Sequence, residues 1–224
     1  ASDVYKRQGY WGPVSDLSVV YHKNTRYLRS FDAPDRVLPA LSVPIEETVL
    51  PPLEQKIPRL FYTGSDHRER RLFLDQAIQT GVNTLEVLHD RSKEKALDFP
   101  QFAEVLGKSK LTFGNGYLPS GTHIITARAI EAISTKAALL YEDGSDLDRF
   151  FVPFVHYVPV KNIHSFAAYA HFLLDHEEYR ARMVDEAHAY WLRHYSARLF
   201  WKHVKWRLKR QAAFDVESRL LQMG

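Results

Sequence analysis

A loop in the first third of the chain combines glycine with a cluster of basic side chains. Gly64-Ser65-Asp66 follows a short apolar run and precedes a helical pattern. Arginines beside a glycine turn at the start of a helix suit a diphosphate, because guanidinium groups and free backbone amides both attract anions. The alternative for each basic side chain is a solvated position at a helix start. The basic residues of this cluster are His67, Arg68, Arg70 and Arg71.

A second loop is richer in glycine and leads into another predicted helix. Residues 114–121 contain three glycines and one proline, and the helix is predicted over residues 122–134. Unpaired backbone amides at the start of a helix interact favourably with an anion. This loop and the first helical turn supply Gly121, Thr122, His123 and Thr126 as candidate ligand-binding residues.

Arg128 and Glu131 lie three residues apart in the same predicted helix, so both side chains fall on one helical face. A carboxylate in this position can accept hydrogen bonds from two ribose hydroxyls. The guanidinium can meet either a phosphate or the neighbouring carboxylate. The alternative is an exposed ion pair that binds no ligand.

Apolar runs and helical periodicities alternate along the middle of the chain, which predicts the elements that position these residues. Strands are predicted over residues 59–63, 82–88, 111–113, 137–141 and 156–160, with helices over residues 70–80, 99–108 and 122–134. Asp146 is predicted to cap one helical turn that ends at Phe150. Helices over residues 165–175, 177–195 and 197–221 follow. We therefore predict an α/β fold: a Rossmann-like parallel sheet with a C-terminal helical tail.

Both glycine-containing loops follow predicted strands, and ligands of parallel α/β sheets bind beyond the carboxyl ends of strands. Other nucleotide and catalytic motifs are absent from the sequence, including Gly-x-Gly-x-x-Gly, the full Walker pattern Gly-x-x-x-x-Gly-Lys-Ser/Thr, Gly-x-Ser-x-Gly and His-Glu-x-x-His. Asp146-Leu147-Asp148 has the spacing of a metal-binding pair, but its position in a turn and helix cap favours a structural role. We therefore expect no metal and no cofactor.

The composition narrows the function classes further. The 224 residues are 45% hydrophobic and 25% charged, with a formal charge of +3, which is typical of a globular protein and does not indicate nucleic acid as a partner. The absence of cysteine excludes disulfides, thiolate zinc sites and cysteine nucleophiles, and is typical of the cytoplasm. The sequence has no apolar run of about 18 residues, the length that a membrane span requires.

Five short segments occur in a characteristic order: Phe61-Tyr62-Thr63-Gly64-Ser65, Arg70-Arg71-Leu72-Phe73-Leu74, Ser109-Lys110-Leu111, Arg128-x-x-Glu131-Ala132 and Ala138-Leu139-Leu140. In this order they resemble the C-terminal, nucleotide-sugar-binding domain of GT-B glycosyltransferases, most closely the family 1-like and spore-coat-type bacterial enzymes. Residues 154–160 also resemble the lipopolysaccharide-modifying and protein O-glucosyltransferase group. The resemblance covers residues 58–207.

The resemblance implies that Glu131 holds the ribose of the sugar donor and that Arg128 is the basic residue one helical turn before it. The sequence departs from the family at His123, which stands in place of a first glutamate, at Thr135, in place of a glycine, and at Ala137, in place of a proline. His123 is a candidate for stabilising a leaving phosphate or a sugar hydroxyl. The candidate donor-binding residues are Gly64, Ser65, Arg68, Arg70, Arg71, Gly121, Thr122, His123, Thr126, Arg128 and Glu131.

The implied reaction transfers a sugar from a nucleotide donor to a glycan, lipid or protein acceptor. Arginines and helix dipoles stabilise the leaving nucleoside diphosphate without a metal. In this family the general base usually comes from the other domain, so no catalytic residue is assigned. The expected organisation is an adaptor-like leader over residues 1–8, a remnant of the N-terminal domain and a proline-rich linker over residues 9–58, the donor-binding domain over residues 59–164, and C-terminal helices over residues 165–224. The chain is therefore expected to be a fragment of a transferase.

The C-terminal stretch supports a rival hypothesis because it mixes aromatic and basic residues, notably over residues 190–210. A helix of this composition either packs on the domain core or lies at a membrane surface. No recognised nucleic-acid-binding motif accompanies it. The alternative to a transferase is therefore a noncatalytic module that docks on a membrane or a protein through this helix, with the chain in the cytoplasm or at the membrane surface.

Overall fold

The computed structural model describes residues 18–21, 37–40, 50, 52–65, 68–89, 97–116 and 125–222 of the chain. The strands are β1 (Ser18–Tyr21), β2 (Val37–Ala40), β3 (Ile57–Ser65), β4 (Thr84–His89), β5 (Ser109–Gly114), β6 (Ala138–Glu142) and β7 (Val158–Val160). The helices are α1 (Arg68–Gln79), α2 (Phe99–Lys108), α3 (Arg128–Ser134), α4 (Ile163–Asp175), α5 (Glu177–His194) and α6 (Ala197–Gln222). A 3-10 turn spans Asp146–Arg149.

Five of the strands form one parallel sheet in the order β4-β3-β5-β6-β7. The chain crosses from β3 outward to β4, then returns past β3 to β5 and continues in the opposite direction. The strand order therefore reverses between β3 and β5. In parallel α/β sheets the ligand-binding crevice lies at such a point, beyond the carboxyl ends of the strands. The α/β class and the parallel sheet predicted from the sequence are confirmed.

Local sequence signals set several of the element boundaries. Helix α2 begins with a capping box, in which the backbone amide of Gln101 donates to Asp98 Oδ1 at 2.8 Å and the amide of Asp98 donates to Gln101 Oε1 at 3.1 Å. Gly81 follows α1 with a φ of +79°, a backbone conformation that glycine adopts at little cost. The predicted bounds of α2 match the structure, and those of α1 differ by two residues at its start and one at its end.

Apolar side chains alternate between the two faces of the sheet. On one face, Phe113 of β5 stacks on Phe73 of α1 with ring centroids 4.8 Å apart, and Phe166 of α4 meets both rings edge-on. On the other face, Phe61 of β3 packs against Phe102 of α2, and α3 packs on β5 and β6. Helices thus cover both faces, as the apolar strand sequences predicted.

Several elements differ from the expectations. Strand β2 lies within the segment expected to be a linker and pairs in parallel with β1. Helix α3 begins at Arg128, six residues later than predicted, although residues 121–124 lie outside the described part. The 3-10 turn is capped by Ser145, whose hydroxyl accepts from the amide of Leu147 at 3.4 Å, so Asp146 is not the cap. Strand β7 begins two residues later than expected.

The chain divides into two compact units. Ile45–Ser196 contains the five-stranded sheet, and its core includes residues of α4 and α5, such as Phe166, Leu173 and Met183. The second unit contains Ala1–Pro44 and Ala197–Gly224, with β1, β2 and α6. Within the described part of the chain, no helix combines the length and the apolar character needed to cross a membrane.

Lys56 directly precedes β3 and lies at the amino-terminal edge of the sheet, opposite the candidate site. Lys56 Nζ donates to the carbonyl oxygen of Gly107 at 2.6 Å and to that of Thr135 at 2.8 Å. Gly107 lies in the last turn of α2, and Thr135 directly follows α3. Burial, together with repulsion from Lys136 and Arg180, lowers the pKa of Lys56 to about 8. The side chain therefore remains predominantly cationic at pH 7 and complements the negative ends of two helices.

Replacing Lys56 with methionine should lower the free energy of unfolding by about 1–3 kcal/mol at pH 7, because the two carbonyl groups lose their donor while the aliphatic stem is kept. Urea denaturation measures this change. Lys108→Met is the matched control, since Lys108 makes an exposed pair with Glu104 and should contribute less than about 1 kcal/mol. Equal effects of the two substitutions would show that the carbonyl contacts add no stability.

Candidate functional site

The crevice between β3 and β5 is organised by one arginine. Arg128, the first residue of α3, donates from Nη1 to the carbonyl oxygen of Thr63 at 2.8 Å and from Nε to Glu131 Oε2 at 2.9 Å. Thr63 immediately precedes Gly64 near the end of β3. The guanidinium therefore joins the helix that carries Glu131 to the strand that carries the first glycine loop.

Glu131 lies at the rim of the sheet unit and not in its interior. The side chains of Arg128 and Glu131 are 15% and 18% exposed, whereas Ala129, Ile130 and Ile133 on the opposite side of α3 are buried. Among the described residues, Glu131 Oε1 has no hydrogen-bond partner. One carboxylate oxygen is thus fixed by Arg128 and the other can accept hydrogen bonds from a ligand.

Tyr141 of β6 supports the start of α3. Its hydroxyl accepts from the backbone amide of Thr126 at 2.8 Å and lies 3.2 Å from Thr126 Oγ1. The ring lies against Gly114, the partner of Tyr141 in the β5–β6 register. A Cβ atom at Gly114 would lie 2.6 Å from the ring and 3.3 Å from Arg128 Cγ, so only glycine allows this approach.

Two further contacts hold the loop that follows β5. The hydroxyl of Tyr62 donates to Asn115 Oδ1 at 3.3 Å, and the amide of Gly116 donates to Glu142 Oε2 at 3.0 Å. Tyr62 and Glu142 belong to the strands on either side of β5. Side chains from β3 and β6 therefore hold Asn115 and Gly116, the described residues of the glycine-rich loop after β5.

The structure brings together part of the predicted site. Gly64, Thr126, Arg128 and Glu131 lie at the same edge of the sheet, linked by the contacts of Arg128 and Tyr141. In α1, Arg68 is exposed and Arg71 is half-buried. The remaining predictions lie outside the described part: the side chains of Ser65 and Arg70, and the whole of Gly121, Thr122 and His123.

Sequence reasoning missed Tyr62, Asn115, Tyr141 and Glu142. Their signal was positional, because each lies at or near the carboxyl end of a predicted strand. Arg128 was expected to meet either a phosphate or the neighbouring carboxylate, and in the structure it bonds the carboxylate. Within the described ranges, no three His, Asp or Glu side chains form a group that could hold a metal ion. Asp146 pairs instead with Arg149 at 3.1 Å.

Comparison with known proteins identifies the family. A family model described as glycosyl transferase-like matches residues 68–203, more than half of the chain. The chain belongs to the glycosyl transferase-like family. The matched residues include α1, the glycine-rich loop, α3 with Arg128 and Glu131, and the helices that follow the sheet. A search of curated protein sequences finds no match.

Solved glycosyltransferases share the fold of this glycosyl transferase-like chain. A mutant of S. aureus TarM in complex with fondaparinux, alpha-GlcNAc-glycerol and UDP superposes with a TM-score of 0.66 at 12% identity, covering 92% of this chain and 46% of TarM. Anabaena HepE in complex with UDP and glucose gives a TM-score of 0.67 at 8% identity, covering 97% and 67%. The C-terminal domain of the Francisella tularensis group 1 glycosyl transferase LpcC gives 0.51 at 11% identity, covering 68% and 99%.

These likenesses confirm the predicted fold, the C-terminal domain of a GT-B glycosyltransferase. The glycosyl transferase-like chain spans about half the length of TarM, of which it covers 46%.

Gly114→Ala should destabilise the chain by about 1–3 kcal/mol, because the added methyl group would overlap the ring of Tyr141. The loss should shrink in a Tyr141→Ala background, where the ring is absent, and urea denaturation of the four variants measures that coupling. Gly81→Ala is the control, since no atom lies within 4 Å of its Cβ position and its cost should be the same in both backgrounds. Additive losses for Gly114 and Tyr141 would contradict the close packing.

Proposed function

We propose that the chain is the donor-binding part of a glycosyltransferase and that it binds a nucleoside diphosphate sugar in the crevice between β3 and β5. The observation that carries this proposal is the fixed Arg128–Glu131 pair beside Thr63 and Gly64. It places a partly exposed carboxylate at the point where the strand order reverses, the usual ligand position in such sheets.

Glu131 is proposed to bind the donor ribose. Its Oε2 atom is held by Arg128, so the direction of the carboxylate is set before a ligand arrives. The remaining oxygen can accept from the ribose 2′- and 3′-hydroxyls, and a preorganised acceptor loses little entropy on binding. Arg128 then acts mainly by orienting Glu131 and holding α3 to β3.

The diphosphate is proposed to lie towards the start of α1. Arg68 is exposed at the start of α1, directly after the loop that follows β3, and is proposed to bind the phosphates there. Arg70, Arg71 and the loop residues Ser65, Gly121, Thr122 and His123 complete the proposed donor set. The UDP present in the TarM and HepE structures supports a uridine nucleotide as the first ligand to test.

The proposed reaction breaks the bond between the sugar anomeric carbon and the diphosphate oxygen. An acceptor hydroxyl on a glycan, lipid or protein forms the new bond, its proton passes to a general base, and the nucleoside diphosphate leaves with the bonding electrons. Positive side chains stabilise the leaving group without a metal in this proposal. We assign no base to the described residues and place it in the other half of the enzyme, which is proposed to act in the cytoplasm.

Glu131→Gln should weaken UDP binding by at least about tenfold, because the amide accepts more weakly than the carboxylate and loses its pairing with Arg128. Isothermal titration calorimetry with UDP, GDP and ADP measures the affinity and identifies the preferred base. Arg128→Ala should act in the same direction.

Glu104→Gln is the matched control, since Glu104 is also paired with a basic residue on its own helix but lies on α2. Its affinity for UDP should equal that of the unchanged chain. Unaltered binding by Glu131→Gln, or an absence of heat with all three nucleotides, would contradict the proposed donor site.

The second candidate function rests on α6. Residues 197–210 contain six of the 30 basic residues and none of the 27 acidic ones, so the rest of the chain has 24 basic against 27 acidic residues. Trp201 and Trp206 are 49% and 52% exposed within this basic stretch. Tryptophan among lysines is typical of helices that lie at an anionic membrane surface, and we propose such a surface as the partner of α6. In a transferase, this membrane contact would add to donor binding. In a noncatalytic module, it would be the function of the chain in place of donor binding.

Replacing Trp201 and Trp206 with alanine should reduce binding to vesicles that contain an anionic lipid such as phosphatidylglycerol by several-fold, as measured by co-sedimentation. Binding of the unchanged chain should fall with added salt, because the attraction is partly electrostatic. Leu192→Ala, which removes another exposed apolar side chain, is the control. Equal binding to neutral phosphatidylcholine vesicles would contradict the proposal. Strong vesicle binding with no nucleotide binding would favour the noncatalytic module.

A further inference from the structure

Tyr141 is a fully buried tyrosine on β6 that no sequence motif of the family marks, yet its contacts converge on the candidate site. We propose that Tyr141 is a positioning residue for the donor ribose, acting through the start of α3 on the Arg128–Glu131 pair. This inference rests on the proposed function, because it names a further residue on which the same site depends.

The hydroxyl of Tyr141 links the sheet to the segment that enters α3. It accepts from the amide of Thr126 at 2.8 Å, and its own proton can be donated to Thr126 Oγ1 at 3.2 Å. Thr126 lies two residues before Arg128. The helix has no side-chain cap at Ala127, so its start is held by this contact with β6 and by the bond from Arg128 to Thr63 on β3.

The ring of Tyr141 fixes the same helix from a second direction. It lies so close to Gly114 that a Cβ atom there would meet two ring atoms at 2.6 and 2.7 Å, and the Arg128 side chain passes the same point, with Cγ at 3.3 Å. The ring, the backbone of β5 and the stem of Arg128 therefore form one packed layer. A shift of the ring would move the guanidinium, and with it the direction of Glu131.

The environment of Tyr141 excludes a role as an acid or base. The side chain has no exposed surface, and burial raises the pKa of its hydroxyl above the ordinary value for tyrosine. The group therefore stays protonated at neutral pH and acts as a hydrogen-bonding strut. Its effect on a ligand is proposed to pass through its contacts with Thr126, Gly114 and Arg128.

Tyr141→Phe keeps the ring and removes the hydroxyl contacts. In the 224-residue chain, UDP should bind about three- to tenfold more weakly to this variant by titration calorimetry, which corresponds to the loss of one ordinary hydrogen bond. Tyr179→Phe is the matched control. Tyr179 lies on α5, outside the site, and its hydroxyl donates to the carbonyl oxygen of Phe154 at 2.8 Å, so the UDP affinity of this variant should equal that of the unchanged chain.

Titration with 2′-deoxy-UDP separates positioning from a general loss of stability. The unchanged chain should prefer UDP over 2′-deoxy-UDP, because Glu131 contacts the ribose hydroxyls, and Tyr141→Phe should reduce that preference while the diphosphate contacts persist. A Glu131→Gln background gives a second test: there Tyr141→Phe should weaken UDP binding little further, because the effect of the hydroxyl is proposed to reach the ribose through Glu131.

The possible outcomes distinguish the two proposals. If the unchanged chain binds no UDP, the proposed function fails and the role of Tyr141 fails with it. If the unchanged chain binds UDP with a preference for the ribose form, and Tyr141→Phe keeps both the affinity and the preference, the role of Tyr141 alone is overturned. A drop in affinity that is equal for UDP and 2′-deoxy-UDP also overturns it, because the effect would then not reach the ribose.

Discussion

The guanidinium of Arg128 is the interaction on which the candidate site depends. It bonds a carboxylate on its own helix and a backbone carbonyl on β3, so it fixes both the direction of Glu131 and the distance of α3 from the strand. A planar group with donors in a fixed fork can satisfy two such acceptors at once, which the single ammonium of a lysine does less specifically. The partial burial of both side chains strengthens the pairing relative to a fully solvated one.

The same residues that build the core also extend into the site. Tyr62 stacks on Phe113 within the aromatic cluster, with ring centroids 5.7 Å apart, while its hydroxyl bonds Asn115 in the loop after β5. Tyr141 is likewise buried along its ring and bonded to Thr126 at its tip. Strand ends in a parallel sheet can serve both purposes because the ring packs between layers and the hydroxyl reaches the carboxyl edge. The positions of the Tyr62 and Tyr141 hydroxyls at the site therefore depend on the packing of their rings in the core.

Sequence reasoning predicted what depends on local pattern. Alternating apolar runs and helices gave the parallel sheet, apolar residues at helical spacing gave the bounds of α2, and the three-residue spacing placed Arg128 and Glu131 on one face. It missed Tyr141, because a tyrosine that ends an apolar strand is indistinguishable from a core residue until the register sets it opposite Gly114. It also chose Asp146 over Ser145 as a cap, since both residue types cap helices and only backbone geometry distinguishes them.

The contacts of Glu131 indicate what this edge of the sheet can do. With Oε2 bonded to the guanidinium of Arg128, the carboxylate is positioned to accept hydroxyl hydrogen bonds at Oε1. Glu142, another carboxylate at this edge, accepts from the amide of Gly116 in the loop after β5. In the proposed function this edge therefore holds the donor, and the proton of the acceptor hydroxyl passes to a group in the other half of the enzyme.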